Sequence, residues 1–307
     1  MKNKIIKFTI KSLISLAFIS WIILRVNWGE VLQNVEKIKI MQIFFYLAVY
    51  LFGILISSYK WQLLAKFKNI KVSIKKLFEF YLAGTFINNF MPSFIGGDTY
   101  RAYQLGQEEK KYVQSASTVV MDRITGLIGA MILTLVFSAL NWNEVSRHSI
   151  LVSLDLILVL LLVSGVVFLQ LTKLKFWKKI SSKVPQKLTE IIRDFHEYNK
   201  FEILFKAIFF GMLFGLIGLA GVNLILFYAM GIHIGTLDYL SVIFLISVVS
   251  ALPVSINNIG IKEWAYITFF GFFGIASSAV ITVAIVSRFL QMFVSFFALP
   301  LYLKTKK

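Results

Sequence analysis

The sequence contains no cysteine, which excludes disulfide bonds, thiolate metal ligands and a cysteine nucleophile. Histidine is almost as scarce, and the three residues, His148, His196 and His233, match no zinc-binding spacing. The sequence also lacks the glycine-rich phosphate loop of nucleoside triphosphatases. These absences leave no reason to expect a metal ion or another cofactor.

Charged residues are few, at 15% of the chain, whereas 58% of the residues are hydrophobic and the mean hydropathy is +0.78. A typical soluble domain carries about 25% charged residues. The composition therefore indicates a polytopic integral membrane protein. The net charge of +17 does not indicate a nucleic-acid partner, because the lysines lie in clusters between apolar runs and not on one face of a soluble fold.

The basic clusters predict the orientation of the chain in the cell membrane. The first basic cluster lies at the N-terminus, directly before an apolar run. This run lacks a small-residue cleavage site, so we interpret it as a retained first transmembrane span. A second cluster contains six lysines and no acid: Lys60, Lys66, Lys68, Lys71, Lys75 and Lys76. A third occupies a basic loop at 173–200. By the positive-inside rule we expect both loops and both termini on the cytoplasmic side.

Two apolar stretches are interrupted by proline and glycine, in MPSFIGGDTYRAY and in LPVSINNIGIKEWAY. Paired interruptions of this kind point to a transporter site built from an inverted repeat. The predicted breaks are Pro92, Gly96, Gly97, Pro253 and Gly260. Three apolar stretches lie between the two basic loops. Because both loops are expected on the cytoplasmic side, the chain must cross the membrane an even number of times between them. One stretch must therefore enter the membrane and return to the same side. The stretch at 77–97 is the candidate re-entrant hairpin.

We therefore predict an all-α polytopic fold with about six full transmembrane helices and two re-entrant hairpins. The second hairpin lies at 238–274, and the two halves of the inverted repeat at about 41–143 and 201–303. Together they form one membrane domain, 1–307. An alternative with eight full helices needs a turn near Arg288, where AIVSRFLQM contains no turn residue.

Each break is followed by an acid, and an arginine lies 25 residues after each acid: Asp98 with Arg123, and Glu263 with Arg288. Long uncharged runs flank Arg288, so it must lie within the membrane, where charged residues are functional by default. The alternative for Arg288 is a structural ion pair with Asp98 or Glu263. For Asp122 and Arg123, the alternative is a position at the membrane interface.

The chemistry that these residues suit is recognition of an anionic head group. Arginine is rare beside lysine in this chain, and it suits two-pronged binding of phosphate or carboxylate. The candidate binding residues are Arg101, Arg123, Arg288, Asn88, Asn89, Asn257 and Asn258, with Asp98, Asp122 and Glu263 as charge partners or coupling groups. The asparagines have an alternative role, which is to bond backbone groups freed by the breaks.

Three motifs carry a family resemblance: NNFMPSFIGGDTYRAYQL, STVVMDRITGLIG, and PVSINNIGIKEWA followed by VSRFLQ. In order and spacing they resemble the flippase-like membrane family that includes the transmembrane flippase portion of lysylphosphatidylglycerol synthase. The family's motif residues correspond to Pro92, Gly97, Asp98, Arg101, Asp122, Arg123, Gly260, Lys262 and Glu263. The resemblance adds Lys262 to the candidate binding residues, at a position where arginine is common in the family.

The resemblance implies translocation of an anionic phospholipid, an aminoacylated phospholipid or another lipid-linked substrate. The length leaves no room for the soluble lysyltransferase domain, so we expect a stand-alone module that is not an enzyme. Its expected partners are membrane lipids, a lipid-modifying enzyme and a second copy of the chain. Two alternatives stay open: an accessory partner of a lipid-modifying or glycosyltransferase enzyme, and an intramembrane enzyme acting on a lipid phosphate.

Overall fold

The computed structural model describes residues 2–91, 95–171, 197–198 and 200–304, and this part of the chain is helical with no strand. The predicted all-α class is confirmed. The first helices are α1 Lys2–Arg25, α2 Trp28–Glu36, α3 Ile40–Phe67, α4 Ile74–Asn88, α5 Ile95–Glu109, α6 Tyr112–Leu140, α7 Trp142–Val145 and α8 Ser149–Leu171. They are followed by α9 Phe201–Ala229, α10 Thr236–Ser250, α11 Ile261–Gly271, α12 Ser277–Phe296 and α13 Leu299–Lys304. The basic loop at 173–200 lies almost wholly outside the described residues.

Within the described part, five helices are long and apolar enough to cross a membrane: α3, α6, α8, α9 and α12. A sixth crossing is formed if α1 and α2 count as one span, and these two helices meet at an angle of 82°. About 20 apolar residues are needed to cross the hydrocarbon core. The predicted polytopic fold, with about six full spans, is therefore confirmed.

The first predicted hairpin is formed by α4 and α5. Each helix has 15 residues, so each is about 22 Å long and shorter than a hydrocarbon core of about 30 Å. The helices pack closely where Gly97 lies against the carbonyl oxygen of Gly84. At the other end, Lys76 forms an ion pair with Glu108. The chain therefore returns to the end of the bundle at which α4 begins.

The second hairpin is formed by α10 and α11. The rings of Tyr239 and Phe270 stack 5.8 Å apart at its open end, and the Asn258 amide donates to the Ser250 carbonyl near its tip. The following helix, α12, continues without a turn through Arg288. The eight-helix alternative required a turn there, so the structure favours the arrangement with two hairpins.

The spans that precede the two hairpins, α3 and α9, are antiparallel. Gly53 of α3 crosses Gly218 of α9, and further along α3 the ring of Tyr59 lies 4.8 Å from that of Phe210. Later residues of α3 therefore meet earlier residues of α9. Each half of the chain has the order span, hairpin, span. The first span of one half, α3, runs antiparallel to the first span of the other half, α9.

The two hairpins enter the bundle from opposite ends of α6. The open end of the first lies at the start of α6, where the ring of Tyr103 is 5.9 Å from that of Tyr112. The open end of the second lies at the end of α6, where the Asn141 amide donates to Asp238 at 2.8 Å. This opposed entry is the arrangement that the predicted inverted repeat requires.

Glycines in α9 allow the close approach of its neighbours. Gly218 faces Gly53, and Gly211 faces the carbonyl oxygen of Thr125, where an added Cβ would lie at 3.1 Å. One feature was not predicted: α9 is π-helical over Gly215–Gly221. Apolar composition and spacing do not distinguish a π-helical turn from an α-helical one.

Two details of the sequence interpretation are wrong. Lys60 is not a loop residue, because α3 continues to Phe67 and buries Lys60 at 3% exposure. Gly96 and Gly97 lie inside the first turn of α5 and not within the break, because α5 begins at Ile95. By contrast, Pro253 and Gly260 lie in the predicted break between α10 and α11. The predicted break at Pro92 lies outside the described residues.

The α3–α9 crossing makes a stability prediction for Gly53→Ala. The new Cβ would lie 2.6 Å from the Cα of Gly218, so the helices must separate. We expect a loss of about 1–3 kcal/mol, measured as a lower unfolding temperature in detergent. The matched control is Gly165→Ala on α8, where a Cβ meets nothing within 4 Å. Equal unfolding temperatures for the two variants would contradict the close crossing.

Candidate functional site

The tips of the two hairpins touch. The side-chain amide of Asn257 donates to the backbone carbonyl of Asn88 at 3.2 Å, and the amide of Asn89 donates to Ser295 of α12 at 2.6 Å. Because the hairpins enter from opposite ends, this contact places both breaks in the interior of the helix bundle. Such irregular backbone is tolerated at membrane depth only where protein buries it or it lines a wet cavity.

Three of the four predicted asparagines, Asn88, Asn257 and Asn258, bond backbone groups beside the breaks, whereas Asn89 bonds the hydroxyl of Ser295. The Asn88 carboxamide oxygen accepts from the Gly97 N–H at 2.8 Å and so caps the first turn of α5. Asn257 and Asn258 have φ values of 47° and 56°, a left-handed conformation that asparagine tolerates better than most residues. Asn88, Asn257 and Asn258 thus make the backbone hydrogen bonds that the alternative role describes. Only Asn257 retains a buried side-chain oxygen without a hydrogen bond.

Helix α1 packs against the second break. The Ile256 N–H donates to the Ser15 hydroxyl at 2.9 Å, and Phe18 lies directly over Gly260. Gly260 has a φ of +90°, and a side chain there would collide with Phe18. Glycine is therefore required at this point on two grounds, conformation and space.

A buried charge cluster lies beside the first hairpin and is centred on Asp122. The Lys60 ammonium is 3.1 Å from one carboxylate oxygen, and the Arg101 guanidinium is 2.8 Å from the other. The Tyr81 hydroxyl also donates to Asp122. All three charged residues are at most 3% exposed. Asp122 is therefore a buried counter-ion shared by two cations.

Arg101 is further held by two aromatic rings. Its guanidinium carbon lies 4.2 Å from the Trp61 ring centroid and 3.6 Å from that of Tyr81. Such contacts are worth about 2 kcal/mol when they are removed from water. Gly84 leaves room for the aliphatic part of the arginine side chain. Arg101 is thus a fixed part of the scaffold.

Arg123 is the outward-facing cation of this cluster. It binds Asp98 in two-pronged fashion, with Nε and Nη2 at 2.9 and 3.0 Å from the carboxylate oxygens. Its side chain is 53% exposed, and the neighbouring Val120 and Ile124 are also exposed. The guanidinium is therefore accessible from an apolar surface.

A second cluster lies beside the second hairpin. Arg288 is 2.8 Å from one oxygen of Glu263, and the other oxygen accepts from the Gly260 N–H at 2.7 Å. Arg288 also reaches the carbonyls of Asn257 and Asn258 at 3.4 Å. Glu263 thereby closes the first turn of α11 and holds the arginine at the break. The Arg288 side chain remains 32% exposed.

Both acid–arginine pairs spaced by 25 residues are thus ion pairs, in equivalent places in the two halves. The acid is in the first turn of the helix that leaves the break, and the arginine is on the span that follows. The partner of Arg288 is Glu263, one of the two acids that the sequence offered. In each pair the arginine is more exposed than the acid, so it is the more accessible member of the pair.

The turn of α12 that carries Arg288 is fixed to α3. The Tyr46 hydroxyl is 2.9 Å from the Ser287 hydroxyl, and Gln291 donates to Tyr46 at 3.2 Å. Sequence reasoning missed Tyr46, and it missed Lys60 as a site residue. The available signal for Lys60 was its position inside the apolar run that continues to Phe67.

Lys262 differs from the other candidate cations. It is partly exposed and lies 5.7 Å from the Tyr266 ring centroid, but within the described residues it makes no hydrogen bond or ion pair. Each cluster has one more cation than acids. No group of three or more histidines and acids in the described part is placed to hold a metal ion. The chemistry that the arrangement suits is anion binding.

Comparison with known proteins assigns the family. Residues 8–298 match the family described as lysylphosphatidylglycerol synthase TM region. The chain belongs to this family. A UPF0104 membrane protein of Methanothermobacter thermautotrophicus is 24% identical over 93% of this chain and 91% of its own length. A UPF0104 membrane protein of Methanocaldococcus jannaschii is 31% identical over 40% of this chain, which spans 38% of that relative. No solved structure matches the chain.

The first cluster predicts that Asp122→Asn is strongly destabilising. The change leaves Lys60 and Arg101 buried without their shared counter-ion, which costs about 3–5 kcal/mol. The measurement is thermal unfolding of the purified protein in detergent. Glu144→Gln is the control, because it breaks an ion pair whose two side chains are 67% and 41% exposed and is worth about 0–1 kcal/mol. A similar effect of both changes would show that Asp122 is not a structural counter-ion.

Proposed function

We propose that this protein moves an amphiphile with an anionic head group between the two leaflets of the membrane. The candidate substrates are an anionic phospholipid, an aminoacylated phospholipid and another lipid-linked anion. The observation that carries the proposal is the meeting of two oppositely oriented hairpins, each with an accessible arginine at its break. This geometry provides one polar binding group, an arginine at a break, for each side of the bundle.

The energetic task is to lower the barrier for a charged group in hydrocarbon. Transfer of an ion from water to a medium of low dielectric constant costs on the order of 20 kcal/mol in the idealised limit. A reduction of about 7 kcal/mol accelerates transfer by roughly 10⁵-fold. The excess positive charge of each cluster favours an anion at the breaks. The acyl chains need not cross the protein, because the arginines open onto an apolar surface.

In the proposed transfer, the acids Asp98 and Glu263 act as counter-ions for the two arginines. When no head group is bound, Asp98 and Glu263 neutralise Arg123 and Arg288, so neither arginine stands as an isolated charge in a low-dielectric environment. An arriving anion shares or replaces the carboxylate at the guanidinium. The exchange of one anion for another keeps the arginine paired at each stage and so avoids a large desolvation cost.

The proposal predicts that Arg288→Ala and Asp98→Asn slow lipid transfer. The first removes a guanidinium from the second break, and the second releases Arg123 from its position. Since a hydrogen bond to a charged group is worth about 1.5–3 kcal/mol, we expect transfer to slow by about tenfold or more. The measurement is transfer of fluorescent phosphatidylglycerol in proteoliposomes at equal protein incorporation. Arg147→Ala is the matched control, because Arg147 is 67% exposed and, among the described residues, pairs only with Glu144.

Two outcomes contradict the proposal. In the first, the unmodified protein transfers several anionic lipids no faster than empty vesicles do. Translocation by this chain alone is then rejected, and the accessory-protein alternative is the one to test. In the second, the protein is active but Arg288→Ala and Arg147→Ala behave alike. The transfer path then does not use the second break.

A further inference from the structure

Helix α2 runs nearly perpendicular to the helix that precedes it. The angle between α1 and α2 is 82°. Helix α1 has 24 residues and is about 36 Å long, so it can cross a hydrocarbon core of about 30 Å without α2. The Glu30 carboxylate of α2 accepts a hydrogen bond from the hydroxyl of Ser278, the second residue of α12. Since α3 begins at Ile40, shortly after α2 ends, α2 lies at the end of the bundle where α3 and α12 begin.

Two kinds of exposed surface run along α2. Trp28, Leu32 and Val35 are spaced by four and three residues, so they share one face of the helix. This apolar face is exposed, by 42%, 67% and 42% for the three residues in turn. A different face carries Gln33 and Glu36, which are also exposed. A helix with this distribution suits contact with an apolar medium on one side and with water on the other.

The apolar face of α2 continues the apolar surface of the neighbouring helices. Leu24, at the end of α1, is 85% exposed, and Ile40 and Met41, at the beginning of α3, are 67% and 75% exposed. Helix α3 is long and apolar enough to cross the membrane, so its exposed apolar side chains face acyl chains. Because α2 joins the ends of these two helices, its apolar face lies at the boundary of the same medium.

The residues beside this face are typical of the boundary between membrane and water. Trp28 donates its indole N–H to the Ile23 carbonyl at 3.4 Å, so its polar atom is bonded while part of its ring is exposed. Arg25 precedes α2, Lys37 and Lys39 follow it, and all three are exposed. Tryptophan is enriched at this boundary, and basic side chains there are attracted to anionic lipids.

We propose that α2 lies in the plane of the membrane surface, with Trp28, Leu32 and Val35 inserted among the acyl chains of one leaflet. The partner of this face is the lipid bilayer itself. Ser15 of α1 accepts from the Ile256 N–H in the second break, and Glu30 of α2 holds the start of α12. Insertion of α2 therefore keeps α1 beside the second break. This role is separate from lipid transfer and does not depend on it.

The test uses the absence of cysteine, which allows a single spin label to be attached without removing native thiols. Leu32→Cys and Gln33→Cys place the label on the apolar face and on the polar face. The variants are reconstituted in vesicles of phosphatidylcholine and phosphatidylglycerol. The measurement is the collision rate of each label with oxygen, which concentrates in the bilayer, and with a water-soluble nickel chelate.

We expect the ratio of oxygen to nickel collisions to be several-fold higher for Leu32→Cys than for Gln33→Cys, because only the first label is immersed in acyl chains. Leu160→Cys is the reference for a lipid-facing site, since Leu160 is 66% exposed on the spanning helix α8. Equal ratios for Leu32→Cys and Gln33→Cys, with both labels accessible to nickel, would overturn the proposal. A Leu32 label that neither reagent reaches, with dipolar broadening between labels, would show that a second copy covers this face and would also overturn it.

Trp28 provides an independent measurement that requires no label. Lipids with brominated acyl chains quench tryptophan emission at the depth of the bromine atoms. If Trp28 is inserted, Trp28→Phe should lose part of the quenchable emission of the unmodified protein, measured in the same vesicles. An unchanged quenchable emission would contradict insertion. Size-exclusion profiles identical to that of the unmodified protein establish that the variants are folded.

Discussion

Neutralisation of charge in a low-dielectric interior is the constraint on which the rest of this structure depends. Asp122 joins α3, α5 and α6 because Lys60 and Arg101 both require it. An unpaired ion in such a place would cost several kcal/mol, so these contacts hold the first hairpin against its neighbouring spans. The Glu263–Arg288 pair joins the second hairpin to α12 in the same way.

The broken helices create a second requirement, which is to satisfy the backbone groups that helix interruption frees. Asparagine side chains form many of the required hydrogen bonds: Asn88 caps α5, Asn258 bonds the end of α10, and Asn257 links the two hairpin tips. These hydrogen bonds lie in the interior of the bundle, so two short hairpins can take the place of a continuous span there. They also bring the acid–arginine pairs to the breaks.

The two halves of the chain contain charge clusters of similar construction and equal net charge, but their cations are paired differently. Duplicate geometry accounts for the recurrence of an acid in the first turn of α5 and α11, with its arginine on the next span. The unequal partners of Lys60 and Lys262 then distinguish the halves.

The number of spans, the two breaks and the 25-residue acid–arginine spacing were predictable from sequence, because hydropathy, proline and glycine act locally and a regular repeat preserves spacing. The pairing of Lys60 with Asp122, the enclosure of Arg101 by Trp61 and Tyr81, and the contact between the hairpin tips were not. These contacts join residues far apart in the chain, and their distances depend on how the helices pack. Sequence by itself therefore determined which residues are costly to place in a membrane, whereas tertiary structure decided which of them neutralise one another.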